Sequence, residues 1–179
     1  LIVGLLPANS FTGNSLSVHF PFWHSKEKYN QLRFSDHELM ILMAVLNSFV
    51  VDFILRSRMT TNLNLFFLYQ LPIPRLTAAH PDFRPLVERA ARLVGTAAEF
   101  DELLAEVFGK NATHQTHGVT DPQDRLTLRA QIDALVARLY NLTIPEFQHI
   151  LTTFPLVDES VKSQTLNTYH ELVKLGKFA

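Results

Sequence analysis

The apolar and polar positions fall into three regimes along the chain. Leu1 to Leu6 is a short apolar run ended by Pro7, which predicts a strand. Asn9 to Ser15 is rich in Asn, Ser, Gly and Thr, the residues of a turn, and Leu16 to Phe22 reads as the return strand. Trp23 to Phe34 mixes basic and aromatic residues and reads as a loop. The second regime is Leu39 to Leu55, apolar on almost every side and broken only by Asn47, Ser48 and Asp52. A helix apolar all round is a buried one. Ser35 and Glu38 stand at capping-box spacing before it, and Arg56 and Arg58 follow it, where cations suit the negative end of a helix dipole. A polar loop, Thr60-Thr61-Asn62-Leu63-Asn64, separates this helix from the apolar segment Leu65–Leu71, which Pro72-Ile73-Pro74 ends.

After Pro74 the pattern becomes amphipathic and helical, and a boundary is placed near Thr77. Phe83, Leu86, Val87, Ala90 and Val94 recur at helical spacing, with Asp82 as the cap and Gly95 as the break. Thr96 with Glu99 reads as a capping box for a second helix that Gly109 stops. Lys110 to Thr120 is polar without periodicity and reads as a mobile loop. Asp121-Pro122 starts a helix whose apolar stripe is Leu128, Ile132, Leu135, Val136 and Leu139. Thr143 with Glu146 opens a short helix through Leu151, and a last helix runs from Asp158 to about Leu175, before Gly176. The fold class expected is mainly α (α+β). A small N-terminal β portion packs on a long buried helix, and a C-terminal helical bundle follows.

Composition adds limits. The 179 residues are 47% hydrophobic and 18% charged, which suffices for a packed core and excludes intrinsic disorder. The chain starts at Leu1, as expected of a piece of a longer polypeptide, and no basic leader precedes the apolar start, so no signal peptide is expected. Asp52 interrupts the longest apolar run, which favours a core helix over a membrane span. With no cysteine there is neither a disulfide framework nor a thiolate metal site, in keeping with a cytoplasmic protein. Net charge is −1, against a strongly basic nucleic-acid binder. The charges are unevenly divided: six basic and four acidic residues lie in 1–75, ten basic and thirteen acidic in 76–179. That asymmetry puts any phosphate contacts on the N-terminal part.

Candidate chemistry is sparse. His114-Gln115-Thr116-His117 is the close histidine pair, read as a polar surface loop, with a metal-dependent hydrolase as the weak alternative. Asp101, Glu102 and Glu106 lie opposite an apolar stripe and read as a solvated face. Trp23 suits either stacking on a base or anchoring a hairpin. There is no Gly-rich phosphate loop, nucleophile elbow or HExxH, so no catalytic residue and no metal ligand is assigned. The sharpest candidates are Arg56, Arg58, Thr60, Thr61, Asn62 and Asn64. Arg binds phosphate or the O6/N7 edge of guanine, and Asn pairs bidentately with adenine. The plainer alternative is that the arginines cap a helix end and the asparagines make turns.

Leu46-Asn47-Ser48, Asn62-Leu63-Asn64 and Leu71-Pro72-Ile73-Pro74 together resemble the target-recognition region of type IIG-like restriction–modification enzymes and related phage-defence adenine methyltransferases. A similar helix, loop and Leu-Pro-Ile-Pro exit occurs in type I specificity subunits. Val3-Gly4-Leu5-Leu6-Pro7 with Thr12-Gly13-Asn14-Ser15-Leu16 resembles the upstream strand–loop–strand of that group. Ile132-Asp133-Ala134-Leu135-Val136, Leu139-Tyr140, Leu142-Thr143, Ile150-Leu151 and Phe154-Pro155 resemble its C-terminal tail. The resemblance implies a partial target-recognition domain over 1–76 and a helical domain over 77–179. It implies double-stranded DNA as partner, contacted by the six candidates above, together with upstream methyltransferase and nuclease modules of the same polypeptide. The Asn-Pro-Pro-Tyr-type motif and the glycine-rich cofactor loop of the methyltransferases are absent, as is an Asp…Glu-x-Lys nuclease constellation. S-adenosylmethionine and Mg²⁺ are therefore expected in the parent, and no cofactor in this fragment. The rival reading is a helical protein-interaction or scaffolding module without a nucleic-acid role.

Overall fold

The computed structural model describes residues 2–6, 22–25, 28–32, 34–58 and 65–176. It is mainly helical. Two short strands, β1 (Phe22–Ser25) and β2 (Lys28–Leu32), form an antiparallel hairpin with Phe22 opposite Leu32. The expected β portion packed on a long buried helix is not supported. Residues 2–6 belong to no sheet, the expected turn 9–15 and residues 16–21 of the expected return strand lie outside the described residues, the hairpin falls where a loop was expected, and its main contacts are between its own strands.

The long buried helix is two helices, α1 (Asp36–Leu46) and α2 (Phe49–Arg56), bent by 60° at Asn47-Ser48. The capping box of Ser35 and Glu38 opens α1 as predicted. At the break Ser48 is extended (φ −78°, ψ 153°), and its hydroxyl accepts from the Val51 N–H at 3.3 Å while donating to the Val45 carbonyl at 2.7 Å. A short polar side chain that bonds nearby backbone competes with helix continuation. Among the described residues no single helix is long and apolar enough to cross a membrane. The apolar residues Met40, Val45, Val50, Val51 and Leu55 are instead buried in the core.

The remaining helices are α3 (Leu65–Tyr69), α4 (Phe83–Val94), α5 (Asp101–Phe108), α6 (His114–His117), α7 (Pro122–Leu139), α8 (Ile144–Thr152) and α9 (Glu159–Leu175). The most extensive packing is α7 on α9, followed by α1 on α4, while α2 lies across α7 and α8. Helices before and after Thr77 share one apolar cluster, from Met40 on α1 to Leu172 on α9. Asp121 caps α7, Thr143 and Glu146 form the capping box of α8, and Gly176 ends α9 in the left-handed region at φ 71°.

Three local expectations change. Asp82 makes no cap bond; its buried carboxylate pairs with Arg138 instead. The Thr96–Glu99 box does not form, and α5 is entered through a 3-10 turn, Ala98–Phe100. Packing before it is close: a Cβ on Gly118 would lie 2.1 Å from the Gly95 carbonyl oxygen, and one on Gly95 would lie 2.7 Å from the Leu104 side chain. The expected loop 110–120 contains α6 and is tied down. Arg125 Nη1 donates to the carbonyls of Leu93 and Val119 at 3.1 and 2.7 Å, and the Val119 N–H donates to the Arg92 carbonyl at 3.0 Å. No apolar stripe announces a segment held by backbone bonds.

Candidate nucleic-acid interface

The C-terminal end of α2 and the start of the apolar exit segment form one exposed surface. Arg56 is more than half exposed, pairs with Asp52 at 2.9 Å one turn back, and lays its guanidinium over the Phe154 ring at 4.6 Å. Phe154 meets Phe49 edge-on at 4.8 Å, so the Arg56 stem rests on a packed aromatic pair. Arg58 reaches across to α3, donating from Nη1 to the Gln70 carbonyl at 3.1 Å. This contact ties the end of α2 to the residue that follows α3, on either side of residues 59–64 in the sequence. Arginine carries five N–H donors in a fixed fork, so one bond to a carbonyl leaves most of the guanidinium for another acceptor. Thr60, Thr61, Asn62 and Asn64 lie outside the described residues.

Both flanks of that segment are anchored. On one side Leu55 is buried, and the first N–H of α2, that of Phe49, donates to Asp133 Oδ1 on α7 at 2.8 Å. Asp133 is buried, and burial pushes its carboxyl up to about 7, against the opposing pull of the Phe49 N–H and of Arg129. On the other side Leu71 is buried, and the Tyr140 hydroxyl donates to the Pro72 carbonyl at 3.0 Å. Burial raises the Tyr140 phenol to about 12, so it remains a donor at neutral pH. On α3, Phe66 and Tyr69 stand 63% and 69% exposed. An apolar run of five residues is too short to define an outer face, so no pattern announces this exposure. Trp23 falls in β1.

The histidine pair does not converge. Asp101 Oδ1 accepts from both the backbone N–H and Nδ1 of His114, at 2.7 and 2.8 Å, at the start of α5. His117 packs against Phe108 at the end of α5, with ring centroids 4.6 Å apart. Asp101 and Phe108 bound that helix, so the two histidines are held by partners at its opposite ends. Among the described residues no group of three or more His, Asp or Glu side chains is placed to hold a metal ion. Glu102 and Glu106 are exposed, as a solvated face requires.

The other buried polar cluster joins three helix ends. Arg138 near the end of α7 donates from Nε and Nη2 to the Asp82 carboxylate before α4, and from Nη1 to the Gly176 carbonyl after α9 at 2.7 Å. These contacts commit three of its five N–H donors, beside a 410 Å³ cavity that His80 and Asn141 also line. Compared with protein-family models, curated proteins and solved structures, the chain has no significant match.

Proposed function

We propose that the chain recognises a DNA target sequence, as the C-terminal part of a restriction–modification enzyme or related phage-defence methyltransferase. In this reading methyl transfer, with S-adenosylmethionine, and any Mg²⁺-dependent cleavage belong to upstream modules of the same polypeptide. The observation that carries the proposal is the exposed pair Arg56 and Arg58 at the end of a helix fixed in the core, with Arg58 bonded to Gln70 beyond α3. Base readout needs donors held by a rigid element, and phosphate contacts need exposed cations beside them. Exposed Phe66 and Tyr69 add apolar surface that can pack against sugars or bases.

The roles divide by reach. Arg56 and Arg58 are assigned mainly to phosphate, and Asn62 and Asn64 to a base edge. Binding of the parent polypeptide to cognate and scrambled duplexes would be measured at two salt concentrations for the four single alanine variants. Each lost phosphate contact should flatten the dependence of log affinity on log salt by about 0.9 and weaken all sequences alike. Each lost base contact should cost roughly 1–3 kcal/mol on the cognate site and little elsewhere. Wild-type affinity and specificity in all four folded variants would reject the proposal in favour of an interaction module.

A further inference from the structure

Residues 2–6 show the alternation of an extended strand: Val3 and Leu5 are half-buried, while Ile2, Gly4 and Leu6 are exposed. They belong to no sheet. A single side chain supplies what a neighbouring strand would. The Asn47 carboxamide accepts from the Val3 N–H through Oδ1 at 2.9 Å and donates from Nδ2 to the Val3 carbonyl at 3.0 Å. That is the donor and acceptor pair that one residue of a β-ladder offers its partner. The same Nδ2 donates to the Met43 carbonyl at 2.9 Å, so the amide ties residues 2–6 to the last turn of α1.

Asn47 sits at the pivot. The next residue, Ser48, caps α2, and Asp133 takes the first α2 N–H. The apolar pattern on both sides of the pivot is compatible with one continuous helix, so contacts peculiar to the bent form must hold the 60° bend. The Asn47–Val3 pair, the Ser48 cap and the Asp133 cap are such contacts. Only the first reaches outside the helical core.

We infer that residues 2–6 are a strap whose seating on Asn47 helps set the direction in which α2 leaves α1. Displacing the strap removes one of the three restraints on the bend. The change is transmitted along α2 to its far end, where Arg56 and Arg58 emerge. The inference does not require that these arginines bind DNA, because it can be read on backbone amides alone.

Hydrogen exchange of the full chain tests it, with Val3→Pro, Asn47→Ala and the double variant. Val3→Pro deletes the donated N–H at a site outside every helix, and Asn47→Ala deletes both bonds from the other side. In each single variant, exchange at the amides of Phe49 and Val51 should rise about tenfold, with α7 and α9 as protected as before. The double variant should exchange no faster than the faster single one, because both remove the same interaction. A Val3→Pro protein whose first α2 turn stays as protected as wild type would overturn the inference, leaving Asn47 a local cap. Additive effects in the double variant would overturn it as well. If Asn47→Ala does not fold, Val3→Pro decides alone.

Discussion

Arg138→Ala should lower the unfolding free energy by roughly 3–5 kcal/mol, the range for removing one partner of a buried ion pair. The side chain it leaves behind decides the size. Asp82 is only 3% exposed, and its carboxylate faces Arg138 through both oxygens. Without the guanidinium that charge stays enclosed and uncompensated. The Gly176 carbonyl, which ends α9, loses its donor in the same step. The adjoining cavity admits water to the exposed side of the cluster, which argues for the lower half of the range. Urea midpoints at constant m-value measure the effect. A control separates charge burial from general packing: Asp82→Leu combined with Arg138→Met removes both charges and should recover most of the loss. If Arg138→Ala costs under about 1 kcal/mol, Asp82 is hydrated in solution and the three helix ends are not joined through it.

What the sequence showed and what it concealed divide by the range of the interaction. The starts of α7 and α8 were legible because Asp121, Thr143 and Glu146 act within one turn of where they stand. Asp82 looked like a cap by the same local rule, but its partner Arg138 is 56 residues away and takes the carboxylate out of capping position. The two polar residues at the centre of the apolar run, Asn47 and Ser48, were visible as interruptions. Their setting is long-range: Asn47 bonds Val3, 44 residues back, and the Phe49 N–H just past the break bonds Asp133, 84 residues on. Asp133 stands out in the sequence only as a member of the patch Ile132 to Val136, since periodicity weighs apolar positions and passes over a buried carboxylate. At the candidate interface, Arg56 and Arg58 were readable as cations ending a helix. The Arg58 bond to Gln70, which ties the end of α2 to the residue after α3, was not.

The stability of the chain should also fall between about pH 4 and pH 7 through the single group Asp133, and Asp133→Asn should abolish that contribution. The carboxyl is raised from an ordinary 3.8 to about 7 because burial penalises its charged form more than the Phe49 N–H and Arg129 favour it. A folded state with the higher pKa binds more protons than the unfolded chain in this window, so rising pH favours unfolding. The contribution is fully present below the unfolded pKa, is lost progressively up to about 7, and changes no further above it. A shift of that size corresponds to about 4 kcal/mol between the two limits, an upper bound if the site opens slightly to water. Asparagine keeps an oxygen for the Phe49 N–H and cannot ionise. The variant should therefore match wild type near pH 4 and exceed it by up to about 4 kcal/mol at pH 8. Asp133→Ala behaves differently, because it leaves the first N–H of α2 without its acceptor and destabilises at every pH. Urea titrations of all three proteins from pH 4 to pH 8 distinguish these cases. Parallel wild-type and Asp133→Asn curves would mean that the carboxylate is ionised throughout, with water rather than α2 as its principal partner.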